Sequence, residues 1–321
     1  MGKINNLSYA SKFSEKSHSK RARLWKDIVR DRWLYLMLIP GVVFFLVFKY
    51  GPMYGLIMAF QNYQPIAGFS GSEFVGFKHF TRLFSEPVFL MLFKNTLLLA
   101  LYNIIFFFPA PIVLALLLNE VRRKFFKNTI QTLVYIPHFI SWPVVVGLCY
   151  VLFTSDGGIV NDLLQRFGFS DVNVLMNPDA FRPLVIIQQI WKEIGWGTII
   201  FLAALAGVNM ELYESAVIDG ANRFKQMFHI TLPAIKSTIV ILLILRMGTF
   251  LDSGFEQIFL MVNSLNRDVG EVFDTYVYSV GLAGGQFSYS TAVGLFKSVV
   301  SLILVVLTNR IAKALGEEGV Y

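Results

Sequence analysis

The sequence predicts an all-α polytopic membrane protein with six transmembrane helices. Three observations carry that prediction. Of 321 residues, 55% are hydrophobic and only 15% charged, against roughly half and a quarter in soluble domains. The mean hydropathy is +0.59, and the apolar surplus falls in blocks long enough to cross a bilayer, which takes about 20 residues. Those blocks are continuous rather than alternating, so helices, not barrel strands, satisfy the backbone inside lipid.

Residues 1–32 read as a basic tail, rich in Ser, Lys and Arg and poor in large apolar residues. The apolar block that follows is too long for a cleavable signal and has no small-residue cleavage pattern. It reads as a first span, Trp33 to Phe60, tilted or kinked by Pro40 and Gly51-Pro52, with Lys49 snorkelling near one face. The second span lies in the charge-free stretch Asn95–Asn119, with Pro109 and Pro111. The third lies within Asn128–Ser155, also uncharged. The fourth runs from near Pro183 to Val208, the fifth from after Pro233 to near Val262, and the sixth over Ser290–Asn309. The spans form one transmembrane domain, 33–313, with a loop at 208–236 and a short tail, 314–321.

Lys and Arg set the orientation. With both termini inside, the inner segments carry 18 of them and the outer segments seven. That bias places the N- and C-termini in the cytoplasm. The outer segments, Gln61–Lys94, Thr154–Arg182 and Asn263–Tyr289, contain turn chemistry such as Asp156-Gly157-Gly158 and Asn177-Pro178. The net charge of +7 and pI of about 9.4 belong to this topology rather than to nucleic-acid binding. Cys149 is alone, so no intrachain disulfide forms. His18, His79, His138 and His229 lack metal-ligand spacing, so no metal site is expected.

The inner segment Glu211–Pro233 is the most informative. Leu212, Ala216 and Val217 form an apolar stripe on one short helix; Gly220 permits a sharp turn; Ala221, Phe224, Met227 and Phe228 recur at helical spacing on a second. Pro233 opens the next span. Such an element either lies on the inner leaflet or needs a partner to cover it.

Glu214, Ser215 and Ala216 are followed by three residues and Gly220, then by nine residues and Ile230, Thr231, Leu232 and Pro233. This resembles the signature loop of bacterial ABC-importer permeases, Glu-Ala-Ala, three residues, Gly, nine residues, Ile, one residue, Leu-Pro. The single departure is Ser215 for Ala. The resemblance covers about residues 90–313, and Asp219-Gly220-Ala221 is typical of the sugar-uptake branch. It implies a type I ABC importer permease fold in a bacterial cell membrane. It implies a coupling helix docked in a groove of a cytoplasmic ATPase, through Glu214, Ser215, Ala216, Asp219, Gly220, Ala221, Phe224, Phe228, Ile230, Leu232 and Pro233. It further implies two ATPase copies, a second homologous permease and an external solute-binding protein. No G-x-x-x-x-G-K-[ST] loop occurs. The chain is therefore expected to be no enzyme and to hold no cofactor of its own, with ATP and Mg on the separate ATPase.

Ionisable groups at bilayer depth cost roughly 2.5–3.5 kcal/mol each and mark function by default. The fourth span carries Gln188, Gln189, Trp191, Lys192, Glu193 and Trp196. The fifth carries Arg246, Asp252, Glu256 and Gln257, with Asp252 and Glu256 four apart and expected on one face; Lys297 lies in the sixth. Amides and carboxylates beside indole rings suit a polyhydroxylated ligand, which makes Gln188, Gln189, Trp191, Lys192, Glu193, Trp196, Asp252, Glu256 and Gln257 a substrate path. The other reading is structural ion pairing of Lys192 or Arg246 with Asp252 or Glu256. The sequence thus points to half of the path for a carbohydrate, an oligosaccharide in the first instance. The alternatives are an intramembrane enzyme using Asp252 and Glu256, and a secondary transporter, which would call for an inverted repeat.

Overall fold

The structure is a computed structural model that describes residues 25, 27–155, 157–170 and 172–316. Most of the basic tail, Asp156 of the first outer turn and the end of the C-terminal tail lie outside the described residues. Two compact units divide between Ile57 and Met58. The first holds most of helix α1 (Arg32–Phe60, 29 residues). Pro40 sits inside α1 without ending it. The helix widens to π geometry over Leu46–Tyr50 and tightens to 3₁₀ over Tyr54–Phe60, so Pro40 and Gly51-Pro52 distort the span rather than interrupt it.

The second unit begins with two-residue strands, β1 (Gln61–Asn62) and β2 (Glu73–Phe74), paired antiparallel. Helix α2 (Lys78–Ser85) follows, then α3 (Val88–Glu120), 33 residues long. Pro109 and Pro111 lack an N–H to donate. The turn before them, Asn103–Phe107, adopts π geometry, and the Phe108 N–H reaches back to the Asn103 carbonyl at 2.8 Å.

The third span is a bent pair, not one straight helix. Helix α4 (Lys124–Phe139) and α5 (Trp142–Phe153) meet at 102°. Ile140 and Ser141 are extended, and Pro143 sits in the first turn of α5, where its missing N–H costs no intrahelical bond. After a short α6 (Ile159–Arg166) comes α7 (Pro178–Ala206). It starts earlier than expected, capped by the Asn177 side chain accepting from the Asp179 N–H at 2.9 Å, and keeps Pro183 inside.

The inner segment forms α8 (Met210–Ile218) and α9 (Arg223–Ala234). The fifth span is also broken. Helix α10 (Lys236–Gly248) ends, 249–254 is non-helical with Gly254 at φ +78°, and α11 (Phe255–Met261) resumes. Asp252 and Glu256 therefore do not share a helical face, since Asp252 lies in the break. Helical residues 273–283 form α12, mostly π, and α13 (Phe287–Ala314) closes the chain. Among the described residues three helices are long and apolar enough to cross a membrane, and the bent pairs α4–α5, α7–α8 and α9–α10 bring the candidate crossings to six.

Within this unit the predicted outer segments gather at one end. Asn95 donates to the carbonyls of Asp268 (2.9 Å) and Glu271 (3.0 Å) and accepts from Arg182 (2.9 Å). Leu99, Phe181, Val185, Ile258 and Val272 form the core beneath, with Val174 and Leu175 packed on it. At the opposite end Ile112, Leu116, Phe201, Leu205 and Ile235 form a second core that receives Met227 and Leu232.

Candidate functional site

Two regions carry the sequence-predicted residues. The first is the α8–α9 hairpin. Asn209 and Asn222 cap its helices, accepting from the Glu211 N–H (3.0 Å) and the Lys225 N–H (2.9 Å). Between them Gly220 adopts φ +77°. The Gly220 N–H bonds the Val217 carbonyl at 3.0 Å and the Ala221 N–H bonds the Ala216 carbonyl at 2.8 Å. This is a Schellman turn, in which the left-handed position favours glycine. A Cβ at Gly220 would meet nothing, so the demand there is purely conformational.

The hairpin is tied to the bundle on one side only. Within the hairpin the Tyr213 and Thr231 hydroxyls are 2.9 Å apart and Gln226 donates to the Ala221 carbonyl at 2.9 Å, while Arg223 reaches out to Glu120 at the end of α3 at 3.2 Å. Leu232 turns inward onto the second core and anchors the hairpin instead of facing a partner. The other side is bare. Ile218 is 86% exposed, Phe224 72% and Phe228 56%. Glu214, Ser215, Asp219 and Pro233 are also exposed, while Ala216, Ala221 and Ile230 are half-buried. An apolar face of this kind on a polar hairpin marks a contact with a protein or with the membrane surface.

The second region is the polar stretch of α7, which the structure distributes among three neighbours. Gln188 lies in the interior, donating to Cys149 Sγ at 2.9 Å and accepting from Gln257 at 2.8 Å; Gln257 also donates to the Val185 carbonyl at 2.9 Å. Gln189 accepts from Asn103 on α3 at 2.6 Å, and Asn103 accepts in turn from Arg246 on α10 at 2.6 Å. Lys192 and Glu193 meet the α4–α5 bend. Lys192 Nζ donates to the His138 carbonyl at 2.7 Å and to Glu193 at 2.9 Å. His138 Nδ1 lies 2.6 Å from Glu193 Oε2, and its ring stacks on Trp196 at 4.4 Å. Gly195 makes this approach possible, because a Cβ there would sit 2.1 Å from the Val134 carbonyl oxygen.

The remaining predicted residues are elsewhere. Trp191, with Gln188, lines an apolar cavity of about 600 Å³ among α5, α6 and α7. Asp252 pairs with Lys297, which also bonds Asp274. Glu256 is exposed. The expected pairing of Lys192 or Arg246 with Asp252 or Glu256 is replaced. Lys192 takes Glu193, and Asp252 takes Lys297, because the break at 249–254 swings Asp252 toward α13. His138 and Asn103 are additions. Pro137 beside a polar residue in an apolar run was the available signal for His138.

Comparisons with known proteins bear on the family and the fold. The family model described as "Binding-protein-dependent transport system inner membrane component" matches residues 107–317. The polygalacturonan/rhamnogalacturonan transport system permease protein YteP of Bacillus subtilis (strain 168) is 59% identical over 302 residues, covering 94% of each chain. A chain of a bacterial ABC transporter involved in the import of the acidic polysaccharide alginate superposes with TM-score 0.84 at 43% identity, covering 91% of this chain and 99% of that one. A second alginate transporter, in complex with alginate pentasaccharide-bound periplasmic protein, gives TM-score 0.85 at 43% identity, covering 93% and 100%.

Proposed function

Because this chain belongs to the family of inner-membrane components of binding-protein-dependent transport systems, we propose that it forms half of the path of an ATP-driven importer for acidic oligosaccharides. The observation that carries the reading is the α8–α9 hairpin, in which the whole Glu214-to-Pro233 spacing folds around Gly220 with its aromatic side bare. That side is the handle a separate ATPase subunit grips. ATP and Mg belong to that subunit, and the chain itself breaks no covalent bond. A second permease completes the path, and an external binding protein delivers the solute. The hairpin end and both termini face the cytoplasm of the bacterial cell.

ATP binding brings two ATPase copies together and drags their hairpins with them. The bundle then rocks between inward-open and outward-open states, a two-state element biased by its partners. Gln189, Glu193 and Trp196 line the path, while Gln188, Lys192 and Gln257 are buried and pair within the bundle. Arg246 contributes a guanidinium whose hydrogen-bond partner is an amide oxygen rather than a carboxylate, which suits a uronate cargo. The relatives are named for galacturonan, rhamnogalacturonan and alginate transport, which supports that class.

The test is uptake of trigalacturonate by vesicles holding the complete transporter. Uptake must require ATP and the binding protein. Gly220→Val, which forces a β-branched residue into the left-handed region, must lower uptake at least tenfold and shed the ATPase during purification. Accumulation driven by the chain without an ATPase would sink the reading.

A further inference from the structure

A second bare surface lies beside the hairpin, and the transport reading does not use it. The link from α3 to α4 and the first turn of α4 carry Arg122, Arg123, Lys124 and Lys127 within six positions, interleaved with Phe125 and Phe126. Phe125 is 85% exposed and Phe126 56%. None of the four cations has an ion-pair partner among the described residues; the nearby carboxylate, Glu120, is committed to Arg223. The first turn of α4 contains no acidic residue.

The depth of this cluster follows from the packing of α4 on α7. Lys192 meets His138, and Gly195 meets Val134, so the two helices run antiparallel. From Val134 down to Lys124 is about 15 Å of helix, and from Gly195 to Ala206 is about 16 Å. The cluster therefore lies level with the end of α7, at the rim of the apolar bundle. Apolar rings at that rim enter the headgroup/acyl boundary, and arginines there present forked donors that match a phosphate diester.

We propose that Arg122, Arg123, Lys124, Phe125, Phe126 and Lys127 form a binding surface for anionic phospholipid headgroups in the leaflet on the hairpin's side. The cations take the phosphates, and the two phenylalanines wedge between the acyl chains just below. Charge complementarity selects the occupant. The hairpin's own outer face mixes Glu214 and Asp219 with aromatics, whereas this strip carries four uncompensated positive charges and no acid. Headgroups of a negatively charged leaflet meet that requirement at that depth. The surface follows from the membrane-embedded fold and stands whether or not the cargo is a uronate.

The experiment reconstitutes the complete transporter in lipid discs of phosphatidylcholine with and without phosphatidylglycerol. The lipid that stays bound after detergent extraction is then measured by mass spectrometry. The native complex retains phosphatidylglycerol over phosphatidylcholine. Replacing all four cations by glutamine lowers that preference by about tenfold or more, while Arg122→Lys with Arg123→Lys keeps most of it. An unchanged preference in the glutamine variant overturns the proposal. So does a glutamine variant that sheds the ATPase in pure phosphatidylcholine while its lipid preference is unmoved, which would assign the surface to that subunit. Should the glutamine variant not assemble, the native complex decides by salt. Phosphatidylglycerol must be released as ionic strength rises, and retention at high salt overturns the assignment.

Discussion

At the end of the bundle that carries Asn95, one side chain reaches across the sequence to hold the Asp268 and Glu271 carbonyls and the Arg182 guanidinium together. At the end that carries Gly220, most contacts are local and the aromatic side chains face outward. The first end is closed by polar groups bonded to one another across distant parts of the chain, some buried, as Asn95 is, and some exposed, as Arg82 is. Arg82 bonds Glu86 at 2.7 Å and Gln286 at 2.8 Å, Tyr289 donates to Glu86 at 2.8 Å, and the Arg82 guanidinium lies 4.1 Å from the Tyr289 ring centre. The second end is a hairpin hung on Arg223 and Leu232. One end spends its side chains on itself; the other keeps them for something absent from the chain. A cross-linked end and a projecting hairpin at the other are what the proposed coupling to an ATPase requires.

Variants can break this contrast from either side. The largest effect is expected from Phe224→Asp with Phe228→Asp. Uptake by the assembled transporter falls at least tenfold, while the thermal midpoint of the isolated chain in detergent barely moves, because both rings are exposed. If that midpoint falls instead, the hairpin is part of the core and the contrast is lost. Asn95→Ala is the converse. It orphans two carbonyls and the Arg182 contact, and leaving buried partners unsatisfied costs about 1–3 kcal/mol. The midpoint drops and ATPase association is retained. A midpoint equal to that of the native chain would show that the outer cap is not held by this residue.

The smallest effect is on acid sensitivity. Desolvation acts to raise the Glu86 pKa, yet the hydrogen bonds from Arg82, Tyr289 and Tyr276 outweigh it and hold the group below its ordinary value. The sign follows. A carboxylate depressed in the folded state stabilises fully above its unfolded pKa, about 4.3, and loses that contribution as pH falls through the folded value. Melting curves of the native chain should therefore lose stability below about pH 4.3, and Glu86→Gln should flatten that part of the profile. An identical acid profile in the variant would remove Glu86 from the cap. Arg82 is half-exposed, so screening keeps the effect modest.

How much of this was legible in the sequence depended on range. The Gly220 turn, its flanking helices and their exposed apolar residues were readable because a helix, a left-handed residue and a second helix are fixed within a dozen positions. The six candidate crossings, and with them which segments share an end of the bundle, were readable from hydropathy. The breaks at Ile140–Ser141 and at 249–254 were not read. Both lie in apolar stretches, where hydropathy reports burial in lipid and is blind to backbone direction. Pro143 and Gly254 were the signals, and each is also tolerated inside transmembrane helices. The partners of Lys192 and Asp252 were misassigned for a related reason. Helical periodicity was applied across a point where the helix stops, and the true partners, His138 and Lys297, come from other spans.

The bend between α4 and α5 has a consequence for how this protein tolerates change. A helix that stops inside a bilayer leaves carbonyl oxygens without donors, and an ammonium on a neighbouring helix is left without water. Here Lys192 and the His138 carbonyl cancel each other's deficit. Shortening the lysine would strand the carbonyl, whereas straightening the third span would leave the lysine with Glu193. The dependence therefore runs one way: the bend tolerates little change at Lys192, which makes that position a poor site for gradual drift and a sensitive one for engineering.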